Sequence, residues 1–231
     1  MKQTRRIPAL LLALLMVCSL TLTSCGKKET PVAADQVAVA LFKMILKDDA
    51  SGVVELFGYA DEDAARKDMG IEGGLYEAMA DEVVNQFTAM NMTVSNEDAQ
   101  AFVDAFLAMF KGVDMTAKVK ESDEKAGTAV VTCTISTFDS NALENAMNDA
   151  MAEVLADPNI LASGDEDAAV SAMLKAISTA IAGLTPSGET ADFNVDFELQ
   201  DMDVNGKTKK VWVPKDAEQF GNQISTTAMG G

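Results

Sequence analysis

"GVDMTAKVKESDEKAGTAVVTCTISTF", residues 112–138, decides the fold class. Up to residue 111 the apolar residues recur every three or four positions, the period of a helix face; here the period drops to two. Val113, Met115, Ala117 and Val119 alternate with polar residues. After the turn DEKAG, Ala129, Val131, Cys133 and Ile135 alternate with Val130, Thr132, Thr134 and Ser136. Two such stretches, rich in β-branched residues and separated by a Gly-containing turn, read as a β-hairpin with one face buried.

On the C-terminal side, two helical patterns follow before any further strand. The first carries Leu143, Met147, Met151 and Val154 and stops before Pro158. The second, over 165–183, carries Val170, Met173, Leu174, Ile177 and Ile181. "ADFNVDFELQDMDV" (191–204) then returns to period two, with Phe193, Val195, Phe197 and Leu199 on one face. Asn205-Gly206-Lys207 is a hairpin turn signal, and "KTKKVWVP" is its partner strand. Asp216 and Gln219 have capping spacing for a last helix with Phe220 and Ile224.

On the N-terminal side, "DQVAVALFKMILKDD" (35–49) is apolar almost all round, which predicts a buried helix. "ASGVVELFGY" predicts a short second one. Leu75, Met79, Val83, Phe87 and Met90 form one stripe, and Phe102, Val103, Phe106, Leu107 and Phe110 another. There is no regular β-α-β alternation and no internal repeat. The sequence predicts an α+β fold: about four antiparallel strands in two hairpins, packed with several amphipathic helices.

Of the 231 residues, 18 are basic and 36 acidic, for a formal charge of −18. Such a surface repels phosphate, so no nucleic-acid partner is expected. The sequence has no His, which removes the usual general base and the commonest metal ligand. Of the three cysteines, Cys18 and Cys25 lie at the N-terminus and only Cys133 in the body, so no disulfide framework is expected.

Lys2, Arg5 and Arg6 precede a run from Ile7 to Cys18 that is apolar throughout, diluted afterwards by Ser19, Thr21, Thr23 and Ser24. Charge, apolar run and small polar residues, in that order, describe a secretory signal peptide; a spanning helix needs roughly 20 apolar residues. Leu22-Thr23-Ser24-Cys25 resembles the lipobox of bacterial lipoproteins. The resemblance implies a diacylglyceryl group on the Cys25 thiol and cleavage just before it. Small residues before the Cys admit the backbone to a membrane peptidase, and the thiol is the nucleophile that takes the lipid. The expected organisation is a signal peptide over 1–24, a lipidated tether over 25–33 and one α+β domain over 34–231. Loss of residues 1–24 leaves fifteen basic and 36 acidic side chains, with Arg66 the sole arginine. Lys27 and Lys28 beside the anchor either touch anionic headgroups or simply solubilise the tether.

The order of elements, the buried first helix and the closing "VWVPKDAEQFGNQI" resemble uncharacterised lipoproteins of Gram-positive bacteria. Those carry a nuclear-transport-factor-like (cystatin-like) domain, in which a curved sheet wraps a helix. The helical excursion over 140–183 departs from the simplest form of that fold.

The acidic clusters "DEDAA" (61–65), "NEDA" (96–99) and "GDEDAA" (164–169) lack the alternating Asp pattern of a calcium loop and each opens a helix. Ser95 with Asp98, and Ser163 with Glu166, have capping spacing. The strand phase of Cys133 makes it a small buried apolar residue rather than a nucleophile. Met79, Met90, Met147, Met151 and Met173 fall on helical stripes and are expected to fill core gaps rather than bind copper or heme. Trp212 belongs to the core or lines a ligand mouth. No catalytic, cofactor-binding or metal-ligating residues are assigned. The reading is a lipid-anchored binding module in the bacterial cell envelope, on the outer face of the cytoplasmic membrane. Its partners are membrane lipid, through acylation of Cys25, and an envelope protein or small ligand. The alternative is a cone-fold domain with a Met- and Phe-lined pocket for a small molecule or a reaction.

Overall fold

The structure, a computed structural model, describes residues 31–69, 75–139, 141–158, 160 and 165–230. In chain order its elements are α1 (Ala34–Lys47), α2 (Ser51–Phe57), α3 (Glu62–Asp68), α4 (Leu75–Ala89), α5 (Asn96–Lys111), β1 (Met115–Asp123), β2 (Thr128–Ser136), α6 (Ala142–Ala156), α7 (Glu166–Ala182), β3 (Thr190–Val204), β4 (Lys207–Pro214) and α8 (Ala217–Ala228). The fold is α+β, with a four-stranded antiparallel sheet in the order β1-β2-β3-β4. The chain divides into two compact units. Among the described residues, a sheet unit takes 31–69, Asp114–Ile135 and Thr190–Thr227, and a helical unit takes those within 75–113, 136–189 and 228–230.

In the sheet unit the first hairpin pairs Met115 with Ile135 and Val119 with Val131. The register then shifts so that Glu121 faces Val130, a bulge at Lys120. Asp123 sets the turn by accepting from the amides of Lys125 and Ala126. The second hairpin runs from Phe197↔Pro214 to Val204↔Lys207. Its two-residue turn has Asn205 at φ 54° and Gly206 at φ 72°. Two positive φ angles match the twist of the strands, which is why Asn-Gly stands there. One sheet face buries Met115, Val131, Cys133, Ile135, Phe193, Val195 and Phe197, as the alternation predicts. The opposite face is polar. There Thr132 Oγ1 donates to Asn194 at 2.8 Å and Thr134 Oγ1 to Asp192 at 2.6 Å, joining the two hairpins.

Helix α1 packs on β1 and β4, the two edge strands. That position explains its composition: Val37, Ala38, Leu41, Phe42, Met44, Ile45 and Leu46 are all buried, and only Gln36 and Lys43 are exposed. Helix α8 brings Phe220 to Phe197, ring centroids 6.3 Å apart and edge to face. Burial of each such ring contributes about 1.5–3 kcal/mol. Asp216 Oδ1 accepts from Gln219 N at 2.8 Å and so caps α8.

The carbonyls at the end of α2 are met by the β3–β4 hairpin: Lys209 Nζ donates to Phe57 O at 2.6 Å and Asn205 Nδ2 to Gly58 O at 2.7 Å. A cation at a helix C-terminus also opposes the dipole. Gly58 closes this helix at φ 76°, and a Cβ there would lie 3.1 Å from Lys209 Nζ. The left-handed backbone angle is what favours glycine there.

In the helical unit α4 packs on α5, α5 on α7, and α7 on α6. Ala80, Val94, Ala99, Val103, Leu107, Val170 and Leu174 form its core, with Met79, Val83, Phe87 and Phe102 packed against it. The acidic clusters do open helices. Asp61 caps α3, Ser95 caps α5 and Asp165 caps α7, each accepting from the amide three residues on. At α7 the capping side chain is thus Asp165; Ser163 lies outside the described residues.

Helix α6 corrects an expectation. The spacing predicts Met147 and Met151 on its buried stripe, yet they are 37% and 41% exposed. The face turned inward holds Ala150, buried, with Leu143, Ala146 and Val154 half-buried. Ala146 and Ala150 take the inward positions against α7, and Met147 and Met151 fall outside that face. Met90, one residue past the end of α4, is likewise exposed rather than core.

Candidate functional site

Leu22, Thr23, Ser24 and Cys25 lie outside the described residues. The described chain takes up at residue 31, and α1 starts at Ala34 in the sheet unit. Residues 26–33 span at most roughly 30 Å fully extended.

The sheet unit has an open cleft of about 430 Å³ where the end of the first hairpin meets β3. It lies beside the β1 bulge, and Phe197 contributes to its wall. Glu121, Asp123, Asp196 and Glu198 line it with Lys215, whose backbone N–H bonds to Asp196 O at 2.9 Å. Four of its lining residues are acidic and one is basic. Its lining contains one Phe and no Met, unlike the apolar pocket the cone-fold alternative anticipates. Among the described residues no group of three or more Cys, Asp or Glu is placed to hold a metal ion.

The residues singled out for chemistry fall into structural roles. Cys133 is fully buried, and burial pushes its thiol up to about 12. A thiol so raised is protonated at neutral pH and no nucleophile. Trp212 is buried, opposite Leu199, as a core residue. Arg66 ties α3 to the end of α1: its Nη2 lies 2.9 Å from Asp48 Oδ1 and 3.0 Å from Glu62 Oε2.

Asp98 is a buried carboxylate in the helical unit that sequence reasoning placed only as a helix-start residue. It joins α5 to α7: Ser171 Oγ donates to Oδ2 at 2.7 Å, and Lys175 Nζ lies 3.2 Å from Oδ1. The Ser171 hydrogen bond, then those of Lys175 and Ser95 with the lysine charge, hold its carboxyl below the ordinary value against burial. Nothing in its one-dimensional context marks this pairing, because Ser171 and Lys175 lie more than seventy residues away. The cleft and the exposed side of α6 were also missed. The alternative helix face at Ala142, Ala146 and Ala150 was the available signal for the second.

No protein-family model matches the chain, and no curated protein sequence matches it. Among solved structures the crystal structure of YcdA from Bacillus subtilis, a protein assigned as a lipoprotein, superposes with a TM-score of 0.54 at 14% identity. The match covers 84% of this chain and 55% of YcdA, so the chain spans about half the length of that protein. At this identity the likeness shows the fold. None of the described helices is long and apolar enough to cross a membrane.

Proposed function

We propose that the protein is an exported lipoprotein, acylated at Cys25 and held at the outer face of the bacterial cytoplasmic membrane, whose body is a binding module of the cell envelope. The observation that carries this reading is Leu22-Thr23-Ser24-Cys25 directly after a basic-then-apolar leader and nine residues before α1. A fold shared with a protein assigned as a lipoprotein supports it. The packing of α1 on β1 and β4 supports the nuclear-transport-factor-like reading of the body. A binding role is favoured over a reaction because no His is present and Cys133 is enclosed. The open cleft by Glu121 and Asp196 keeps small-ligand binding as the second reading.

The test is metabolic labelling of cells making the full-length chain with an alkyne fatty acid. Wild type should carry the label and sediment with membranes, while Cys25→Ala should carry none. An unlabelled wild type, or equal labelling of the variant, rejects the anchor.

A further inference from the structure

The apolar side chains that α6 turns away from α7 form a line. Met147, Met151 and Leu155 follow at intervals of four residues and are 37%, 41% and 62% exposed. At 1.5 Å per residue the line runs about 12 Å along one shoulder of the helix. Isolated exposed apolar residues are ordinary, but a row of three on one helix has the spacing by which helical segments anchor to one another. Two of the three are methionines, whose flexible thioether side chains adapt to varied apolar partners.

Charge then selects the occupant. Glu144 lies on the same shoulder one turn before the row, Asp149 and Glu153 are exposed on the other shoulder, and α6 contains no basic residue. The helical unit as a whole has fifteen Asp and Glu against two lysines, Lys111 and Lys175, and Lys175 is paired with Asp98. A second copy of this helix would set carboxylates against carboxylates. An anionic bilayer would be repelled in the same way. A segment with apolar residues flanked by Lys or Arg meets both properties.

We propose that the Met147–Met151–Leu155 shoulder of α6 docks a cationic amphipathic segment of a partner polypeptide. This rests on the binding-module reading above and names the chemistry of its partner. The apolar row supplies contact area, and Glu144 with the surrounding field supplies steering and orientation.

The test uses the full-length chain in phosphatidylcholine nanodiscs and a fluorescent helical peptide of Leu and Lys, with a Leu and Glu peptide of equal length as control. Anisotropy titration should show the Leu–Lys peptide bound and the Leu–Glu peptide free. The triple variant Met147→Gln, Met151→Gln, Leu155→Gln, all exposed positions in a helix that tolerates Gln, should weaken binding about tenfold or more. Glu144→Gln and added salt should weaken it less. Unchanged binding by the triple variant, equal binding of the Leu–Glu peptide, or no signal above empty nanodiscs overturns the proposal. A concentration-dependent dimer abolished by the triple variant overturns it in favour of a second copy. Fatty-acid label at Cys25 is scored on the same preparation. A labelled chain that ignores the peptide rejects the docking face alone, and an unlabelled chain that binds it rejects the anchor alone.

Discussion

Cys133 shows how one residue's chemistry is set by its strand neighbours. Val131 and Ile135 flank it on the inner face of β2, all three fully buried, and desolvation raises the thiol to about 12. At neutral pH the thiolate is then a fraction on the order of one in 10⁵, and the sulfur has no route to solvent. Iodoacetamide should leave Cys133 unmodified in the folded chain and alkylate it fully in urea, as read by peptide mass spectrometry. Modification of the folded chain at the rate of a free thiol would mean that the strand opens or that the residue faces outward. The position was legible in sequence because a period of two admits only two faces, and the inner one was already defined by Val131 and Ile135.

Elements were legible where their period and their caps agreed. The two hairpins follow from alternation plus Asn205-Gly206 and the Asp123 turn, and α1 follows from apolar residues on nearly every side. Helix α6 was misread because its sequence has two plausible inner faces, one of Met and Leu and one of Ala. Side-chain size favours the first, but packing on α7 buries the second. The Asp98 link was invisible for another reason: Ser171 and Lys175 belong to a helix that only the fold brings to α5. That link gives the α5–α7 contact a pH dependence of definite sign. The folded Asp98 carboxyl titrates below its ordinary value, so the unfolded chain binds the proton more readily. The stabilisation is present above the unfolded value of 3.8 and is lost as pH falls through the folded one. Asp98→Asn should therefore lower stability near neutral pH and flatten its fall between about pH 5 and pH 3, relative to wild type. Urea unfolding across that range measures it. Parallel wild-type and variant curves would show that the carboxylate contributes no proton linkage.

On the scale of the whole molecule, electrostatics oppose folding more than they support it. The formal charge is −18, and the helical unit concentrates it, with fifteen carboxylates against two lysines. Besides the Asp98–Lys175 pair, the described residues hold partly exposed ion pairs that run the other way, among them Lys47–Asp114 at 2.8 Å, Arg66 with Asp48 and Glu62, and Lys210–Asp201 at 2.9 Å. Pairs of that kind contribute roughly 0.2–1 kcal/mol each and weaken with salt. Repulsion among many like charges a few residues apart also weakens with salt, since the screening length falls from about 30 Å at 0.01 M to about 10 Å at 0.1 M. Because the 36 acidic side chains outnumber the 18 basic ones, the net effect of screening favours the compact state. The urea midpoint should accordingly rise as NaCl is raised from about 0.01 M to about 0.3 M, most steeply at the low end where the screening length changes most. The same titration with the Leu–Lys peptide present should show a smaller rise, because bound cations have already relieved part of the repulsion. A midpoint that falls with salt would mean that the few attractive pairs dominate the charge balance, and it would remove the electrostatic argument for a cationic partner.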